Sequence, residues 1–378
     1  MTSRVDFWSS TEYSTFLPAL TGALGAQGWT ARARFTVSEA AYRGALGRAA
    51  RLALRARSYG LYPLQLAAAV RKADRPEVAV VCTNTFFAPR VAQLCGDVPV
   101  VHWVFDLFPD VLVVAGKLRD GSALERWMRR LARQTCERAA VNVFLGEHLR
   151  RHAEARFGAI PRTVVIPVGA DTAPFAAGVR PREEGAPLQI LYCGNLGRMH
   201  DTATISRALR ESPNGRPTDR PAIQWSFRGN GVGFRELATA LAGRGDCPFG
   251  PSFPPAEWVE AMRSAAVALV TVRPGAEGLV MPSKTYSAMA AGQAILAVCP
   301  RASDLADTVL RHACGWVVEP GDSAGLRAGL TEIVRDGGGL QAKREAAWRA
   351  AREFYGAEAL APQWARVLEQ ARGWKRQS

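Results

Sequence analysis

One lysine beside a helix-capping serine, and two glycine turns that each carry an arginine, are the positions in this chain best suited to chemistry on a phosphorylated ligand. Lys284 follows Pro282 and Ser283 at the head of the run Thr285–Gly292, where a helix is expected to begin. Ser283 is a natural N-cap. An ammonium group in a first turn opposes the helix macrodipole unless an anion neutralises it. A phosphate at that point would use both the free backbone N–H groups and the lysine; an ordinary buried helix that tolerates its lysine is the competing reading. Gly194-Asn195-Leu196-Gly197-Arg198 and Arg228-Gly229-Asn230-Gly231 each follow an apolar run. Their glycines allow close approach of backbone to a ligand and their arginines supply a cation, although a plain tight turn would use the same residues. Asp106 stands just past the run Val98–Val104 as a candidate polar residue facing a cleft, with a turn or cap as the alternative. His102, inside that run, reads as a core histidine.

These residues must be positioned by strands, because each follows a short apolar segment. In the first half such segments are Val5–Trp8, Val78–Val81, Val98–Val104, Ala140–Leu145 and Thr163–Pro167. In the second half they are Leu188–Cys193, Ile223–Phe227, Val267–Thr271, Ala294–Val298 and Gly315–Val318. Continuous apolar strands alternating with helical patterns indicate parallel sheets covered on both faces. A helix is expected over Ser122–Ala139, with Leu124, Trp127, Met128 and Leu131 on its apolar stripe and Arg126, Arg129, Arg130 and Arg133 toward water. Phe175–Pro187, rich in Pro and Gly, reads as an interdomain linker. The tail from about Gln341 to Trp374 reads as helical with a break near Pro362.

The chain has 378 residues, enough for two domains, and ordinary globular composition. No apolar run approaches the roughly 20 residues of a membrane span, and Met1–Ser10 has no signal-peptide pattern. The seven cysteines show no C-x-x-C spacing and several lie in strand-like runs, which suggests reduced, buried thiols in a cytoplasmic protein. The five histidines show no metal-ligand spacing, so no metal is expected. The net charge of +14 is concentrated in residues 1–178, with 23 basic and 14 acidic side chains. Such a balance attracts polyanions.

Taken together, the segments resemble the GT-B fold glycosyltransferases of family 4, in the branch that builds bacterial surface polysaccharides. Asp106-Leu107-Phe108-Pro109-Asp110 is similar to the branch's Asp-Leu-Trp-Pro-Glu motif, and Val165–Asp171 to its Ile-Pro-Asn-Gly-Val-Asp segment, with Val168 at the Asn position. Gly194–Gly197 resembles the first phosphate loop, Pro282-Ser283-Lys284 through Gly292 the helix start that grips the nucleotide diphosphate, and Gly315–Asp322 the closing strand and turn. The resemblance covers roughly residues 78–372, most strongly the second half. It implies an α/β fold of two doubly wound Rossmann-like domains facing a cleft. Residues 1–175 would bind the acceptor, 186–355 the nucleotide sugar, and 356–378 would form a helix crossing back to the first domain. It implies transfer from a nucleotide sugar, with a UDP-linked donor the first expectation, with retention of configuration and no metal or other cofactor. Lys284, Arg198 and Asp106 would be the catalytic residues. Gly194, Asn195, Gly197, Arg228, Gly229, Asn230, Glu277, Pro282, Ser283 and Ser287 would bind the donor. Glu277 lies five residues before Pro282, as the family's first Glu does, whereas Ser287 stands where many members have a second Glu for the ribose. No Asp-x-Asp pair occurs, in keeping with a fold that neutralises the leaving diphosphate with cations and helix N-termini.

Residues 40–73 contain seven basic and no acidic residues. Read as a helix, Arg48, Arg51 and Arg55 share one face, and Tyr59, Leu61, Tyr62, Leu64 and Leu66 follow. That pattern suits an anionic membrane surface, at the inner face of the cell membrane, where the family resemblance implies a lipid-linked acceptor. A solvated helix on the first domain is the alternative. No recognition motif accompanies the charge, so nucleic acid is not the expected partner. Two other functions share the fold. A nucleotide-sugar 2-epimerase would consume donor without acceptor, and a non-catalytic adaptor of polysaccharide assembly would bind nucleotide without turnover.

Overall fold

The computed structural model describes residues 3–12, 16–39, 41, 47–183, 185–212 and 223–375, and the side chain of Arg48 lies outside that set. In chain order the first elements are β1 (Ser3–Thr11), α1 (Phe16–Gly25), β2 (Trp29–Val37), α2 (Gly47–Ala56), α3 (Tyr62–Ala69), β3 (Val78–Cys82) and α4 (Ala88–Cys95). There follow β4 (Val100–Val104), α5 (Asp110–Val114), α6 (Ala123–Arg138), β5 (Val141–Phe144), α7 (Glu147–Phe157) and β6 (Thr163–Val165). The next group is β7 (Leu188–Asn195), α8 (Ala203–Glu211), β8 (Ile223–Asn230), α9 (Val232–Ala240), β9 (Phe249–Gly250), α10 (Pro255–Ser264) and β10 (Val267–Thr271). The last are α11 (Lys284–Ala290), β11 (Ala294–Val298), α12 (Asp304–Arg311), β12 (Gly315–Val318), α13 (Ser323–Arg335), α14 (Gly337–Ala350) and α15 (Ala357–Arg372). The chain divides into two units. Unit 1 is Met1–Val168, Gly278–Val280 and Ala357–Ser378; unit 2 is Gly169–Glu277 and Met281–Gly356.

Unit 1 is built on a parallel sheet of order β2-β1-β3-β4-β5-β6. β3 and β4 are buried along their whole length, as their unbroken apolar sequences require. The edge strand β2, with its alternating small and basic residues Thr30-Ala31-Arg32-Ala33-Arg34, carries too little apolar signal to stand out in the sequence. Its arginines pair with the buried Asp6 at 2.9 and 3.4 Å, and such charges blunt a sheet edge. α15 is part of this unit. Its fully buried Trp364 packs edge-on against Phe7 and Trp103, with ring centroids 5.4 and 5.0 Å apart. The tail breaks at Gly356, which is extended, and Pro362 lies inside α15. The expected stripe of α6 is also rotated. Leu124 and Trp127 are each 55% exposed, while Glu125 is buried and bonded by Arg129 Nε at 2.8 Å. A buried ion pair has taken the inward position that apolar periodicity assigned to Leu124 and Trp127.

Unit 2 has a second parallel sheet, of order β12-β11-β10-β7-β8-β9. Numbered from its own first strand, that order is 3-2-1-4-5-6, which places the topological switch point between β7 and β10. Ligands of such sheets bind in the crevice beyond the strands' carboxyl ends at that point. The segment Gly169–Phe175 groups with this unit: Ala170 bridges to Gly356, and the Phe175 carbonyl accepts from Trp348 Nε1 at 2.9 Å.

Candidate donor and acceptor sites

At the switch point of unit 2, β7 and β8 end side by side, pairing Gly194 with Gly229 and Asn195 with Asn230. Gly194 has φ +132° and Gly229 φ +150°. A Cβ on Gly229 would lie 1.9 Å from the Gly194 carbonyl oxygen, so the strand tips can approach this closely only with glycine at position 229. Leu196 N–H then donates to Asn230 O at 2.7 Å and locks the tips together.

Lys284 opens α11 and extends over this platform. Its Nζ donates to the Tyr192 hydroxyl and, at 3.2 Å, to Asn195 O, and it lies 4.1 Å from the centroid of the Tyr192 ring. It is half-buried, and among the described residues it forms no ion pair with a carboxylate. Desolvation lowers its pKa to about 7. His200, beside it, bonds Thr271 O through Nδ1 at 2.7 Å. Burial first, and the Lys284 charge second, push its pKa down to about 3, so its imidazole is neutral. Ser283 occupies the N-cap position but its side chain makes no cap bond, and it is exposed. Pro282 is buried.

Lys284 and Ser287 line a small cavity of about 90 Å³ with Cys193, Trp258 and Gln293. The buried Gln293 Oε1 and Thr285 Oγ1 have no hydrogen-bond partner among the described residues, nor does Glu277 Oε2. Gln293 and Thr285 carry no sequence signal beyond their place near the Lys284 helix. Arg228 is held apart, with its Nε donating to Ser226 Oγ at 3.3 Å and its guanidinium over the Phe253 ring at 5.1 Å. Asn230 is exposed at the tip of β8. Gly197 and Arg198 line a different opening, a cavity of about 800 Å³. The structure thus gathers Gly194, Asn195, Gly229, Lys284 and Ser287, and leaves Arg228 and Arg198 with other neighbours.

In unit 1, Asp106 follows the carboxyl end of β4. Thr83 Oγ1 accepts from the Phe105 and Asp106 N–H groups at 3.0 and 3.2 Å and donates to Asp106 O at 3.2 Å, which fixes the turn. The Asp106 side chain forms no ion pair among the described residues, and burial raises its pKa to about 6. Asp110, four residues on, is a different kind of group. Arg156 Nε lies 2.6 Å and His152 Nε2 3.6 Å from its Oδ1, and these partners hold its pKa below the ordinary value against the opposing effect of burial. The same motif docks Leu279, whose carbonyl accepts from Leu107 N–H at 3.2 Å. His102 is a core residue, with Nδ1 3.0 Å from Asn142 Oδ1 and a pKa lowered by burial to about 4.

An aromatic chain borders Asp106. Phe86 meets Phe108 at 5.7 Å, Phe87 at 5.3 Å and Trp127 at 6.4 Å, and Phe87 meets Tyr59 at 6.3 Å. Tyr59 feels both Arg55 and Asp106, and its pKa is raised mainly by burial. The chain surfaces at both ends, at Tyr59 beside Leu52, Leu61 and Leu64, and at Trp127 beside Leu124, all exposed. Arg51 and Arg55 are exposed on α2, where Arg51 Nε donates to Gly47 O at 3.1 Å; the Arg48 side chain lies outside the described residues. Sequence reasoning assigned Trp127 to the core and missed this second arm.

Residues 24–174 match the profile of Glycosyltransferase Family 4. The chain has the GT-B fold, and its residues 24–174 are similar to glycosyltransferase family 4. The family 4 match begins well before Val78, in the half where motifs are scarcest. The chain is 28% identical over 245 residues to the "Probable glycosyltransferase WbjE" of Pseudomonas aeruginosa, a stretch that spans 61% of this chain and 58% of that relative. Among solved structures it is similar to sucrose-phosphate synthase from Thermosynechococcus elongatus, with a TM-score of 0.72, 16% identity and coverage of 97% and 98% of the two chains. It is likewise similar to Anabaena HepE in complex with UDP, with a TM-score of 0.67, 15% identity and coverage of 98% and 100%. HepE has also been solved with UDP-glucose. Among the described residues no helix is long and apolar enough to cross a membrane, and no group of three or more potential metal ligands occurs.

Proposed function

We propose that this protein transfers a sugar from a UDP-linked donor to an acceptor carried on a lipid or on a polysaccharide precursor, with retention of configuration and without a metal. The observation that carries the reading is Lys284. Its ammonium sits on the strand tips of unit 2 with hydroxyl, carbonyl and ring partners but no carboxylate among the described residues. A cation held in this way, in a partly desolvated place, is matched to a diphosphate. As the bond between the anomeric carbon and the β-phosphate oxygen breaks, negative charge grows on that oxygen, and a preorganised ammonium stabilises the charge without reorganising. The glycines at 194 and 229 and the backbone near Ser283 would let the phosphates approach, and Arg228 beside Phe253 would flank the nucleoside. Glu277 and Ser287 would hold the sugar and ribose hydroxyls. The UDP complexes of the Anabaena relative favour uridine as the base.

Unit 1 would bind the acceptor, with Asp106 accepting the proton-bearing hydroxyl in its ionised form. The exposed leucines and aromatics beside Arg51 and Arg55 suit a peripheral seat on an anionic lipid surface, where a lipid-linked acceptor resides. One observation favours the adaptor reading as a second possibility: Ser287, shorter and uncharged, stands at the ribose position of many relatives.

The test is a thermal-shift series with UDP, GDP, ADP and NAD. A ligand that binds only the folded state raises the melting temperature by mass action. The expected result is a rise with UDP, none with NAD, and loss of the UDP effect in Lys284→Ala. No rise with any diphosphate would overturn the transferase reading; a rise with UDP but no turnover of UDP-sugars with lipid-linked or polysaccharide acceptors would favour the adaptor.

A further inference from the structure

At the β2 edge of the unit 1 sheet lies a cavity of about 320 Å³ whose polar wall is rich in hydrogen-bond donors. Its floor comes from two paired strands. Asp6 stands in register with Arg32 and Trp8 with Arg34, so the four side chains share one face. The buried Asp6 carboxylate takes Arg32 Nε on Oδ1 at 2.9 Å and Arg34 Nε on Oδ2 at 3.4 Å, and both its oxygens are occupied. Among the described residues neither arginine makes a hydrogen bond through its terminal nitrogens. Gln65 of α3 also lines the cavity. Its Oε1 accepts from Thr36 Oγ1 at 2.8 Å, which leaves its amide nitrogen without a partner among the described residues. Trp8 is 7% exposed, and its buried Nε1 likewise donates to nothing among them.

The loop from α3 to β3 brings Lys72 and Arg75 to the same wall, both exposed. Among the described residues neither side chain forms a hydrogen bond or an ion pair. The backbone that carries them is nevertheless fixed. Arg71 Nε donates to Cys95 O at 2.8 Å, Arg4 Nη2 to Arg75 O at 3.0 Å and Glu77 N–H to Arg4 O at 2.9 Å. Blunting a sheet edge accounts for the two arginines of β2, but it does not call for two further cations from a separate loop on the same opening. Four cations thus share the wall with two carboxylates, the occupied Asp6 and the exposed Asp74. Guanidinium and ammonium groups with N–H groups to spare around one concavity match a phosphate, whose oxygens accept. The volume lies at the small end of the range for organic ligands.

We propose that this cavity binds a phosphate ester group, at a site separate from the proposed donor and acceptor sites. All of its residues belong to unit 1. The loop that carries Lys72 and Arg75 enters β3 at its amino end, whereas Asp106 follows the carboxyl end of β4 in the same parallel sheet. A ligand held there leaves the Asp106 end of the sheet open. A soluble sugar phosphate and a lipid headgroup offer this seat the same chemistry. The inference stands independently of the role given to Lys284.

The test uses the full chain carrying Lys284→Ala, so that the proposed donor site contributes nothing, with and without the pair Lys72→Gln and Arg75→Gln. Both loop residues are exposed, so the paired variant keeps its fold, which melting curves check. Calorimetry with glucose 6-phosphate should show one equivalent bound, with glucose as a control that does not bind. Affinity should weaken about tenfold in the loop variant, as loss of charge-assisted hydrogen bonds predicts. No binding of glucose 6-phosphate, or binding that the loop variant leaves unchanged, would overturn the site. Sedimentation with phosphatidylcholine vesicles, with and without phosphatidic acid, then separates the two sources. Binding to phosphatidic acid that weakens in the loop variant, and that glucose 6-phosphate competes away, names the lipid headgroup. Vesicle binding indifferent to the loop variant names the soluble ester.

Discussion

Unit 2 presents its polar groups on backbone: two glycine tips, a carbonyl and a short helix that together seat one lysine. Unit 1 presents its own on side chains: an aspartate without an ion-pair partner among the described residues, bordered by a half-exposed chain of aromatic rings and flanked by arginines. A backbone platform tolerates little change, because a Cβ at Gly229 meets another backbone atom at 1.9 Å. A side-chain surface can be redrawn residue by residue. Under the proposed function, the contrast would suit a nucleotide donor on one unit and an acceptor on the other.

Four experiments would break or sharpen that contrast. Lys284→Ala should have the largest effect, lowering turnover about 10²- to 10³-fold, the scale for losing one preorganised charge-stabilising group. Its melting temperature should not fall, since the variant removes a poorly solvated cation; near-normal turnover would remove the unit 2 assignment. Asp106→Asn should lower kcat about 10²-fold while leaving UDP affinity unchanged. Because the Asp106 pKa is raised to about 6, the ionised form is lost as pH falls through that value. Parent activity should therefore drop on the acid side and the Asn variant should lack that limb, and a shared acid limb would show that some other group titrates.

The third effect is smaller and concerns protons. Free Lys284, with its pKa near 7, sheds its proton as pH rises through that point. A bound diphosphate favours the charged form and raises the pKa. Binding should take up a proton, and UDP affinity should fall by up to about tenfold per pH unit above 7. Calorimetry in buffers of different ionisation enthalpy measures this directly, and a heat independent of buffer would mean the lysine is already charged. The smallest effect is at the surface: Arg51→Glu with Arg55→Glu should weaken binding to vesicles containing anionic lipid severalfold or more, at roughly 1 kcal/mol per basic residue. Unchanged vesicle binding would leave α2 as a solvated helix.

The same contrast explains what the sequence disclosed. The Rossmann-like alternation was legible because buried parallel strands such as β3, β4, β10 and β11 must be apolar throughout. The glycine turns and Pro282-Ser283-Lys284 were legible because backbone platforms demand particular residues at fixed spacing. β2 was hidden because an edge strand needs no apolar run, and its alternating arginines answer to Asp6 rather than to a core. The face of α6 was misjudged because Glu125 turned inward to meet Arg129, and periodicity cannot register a buried ion pair.

The return of α15 to unit 1 also sets an order of completion. Phe7 and Trp103 are made early, but the ring that fills the space between them is Trp364. As the chain emerges from the ribosome, unit 2 has all its strands by Val318, while unit 1 still lacks a fully buried part of its interior. The half that begins first is therefore finished last. Until that closing helix arrives, the more basic and more aromatic half of the protein is the half left open.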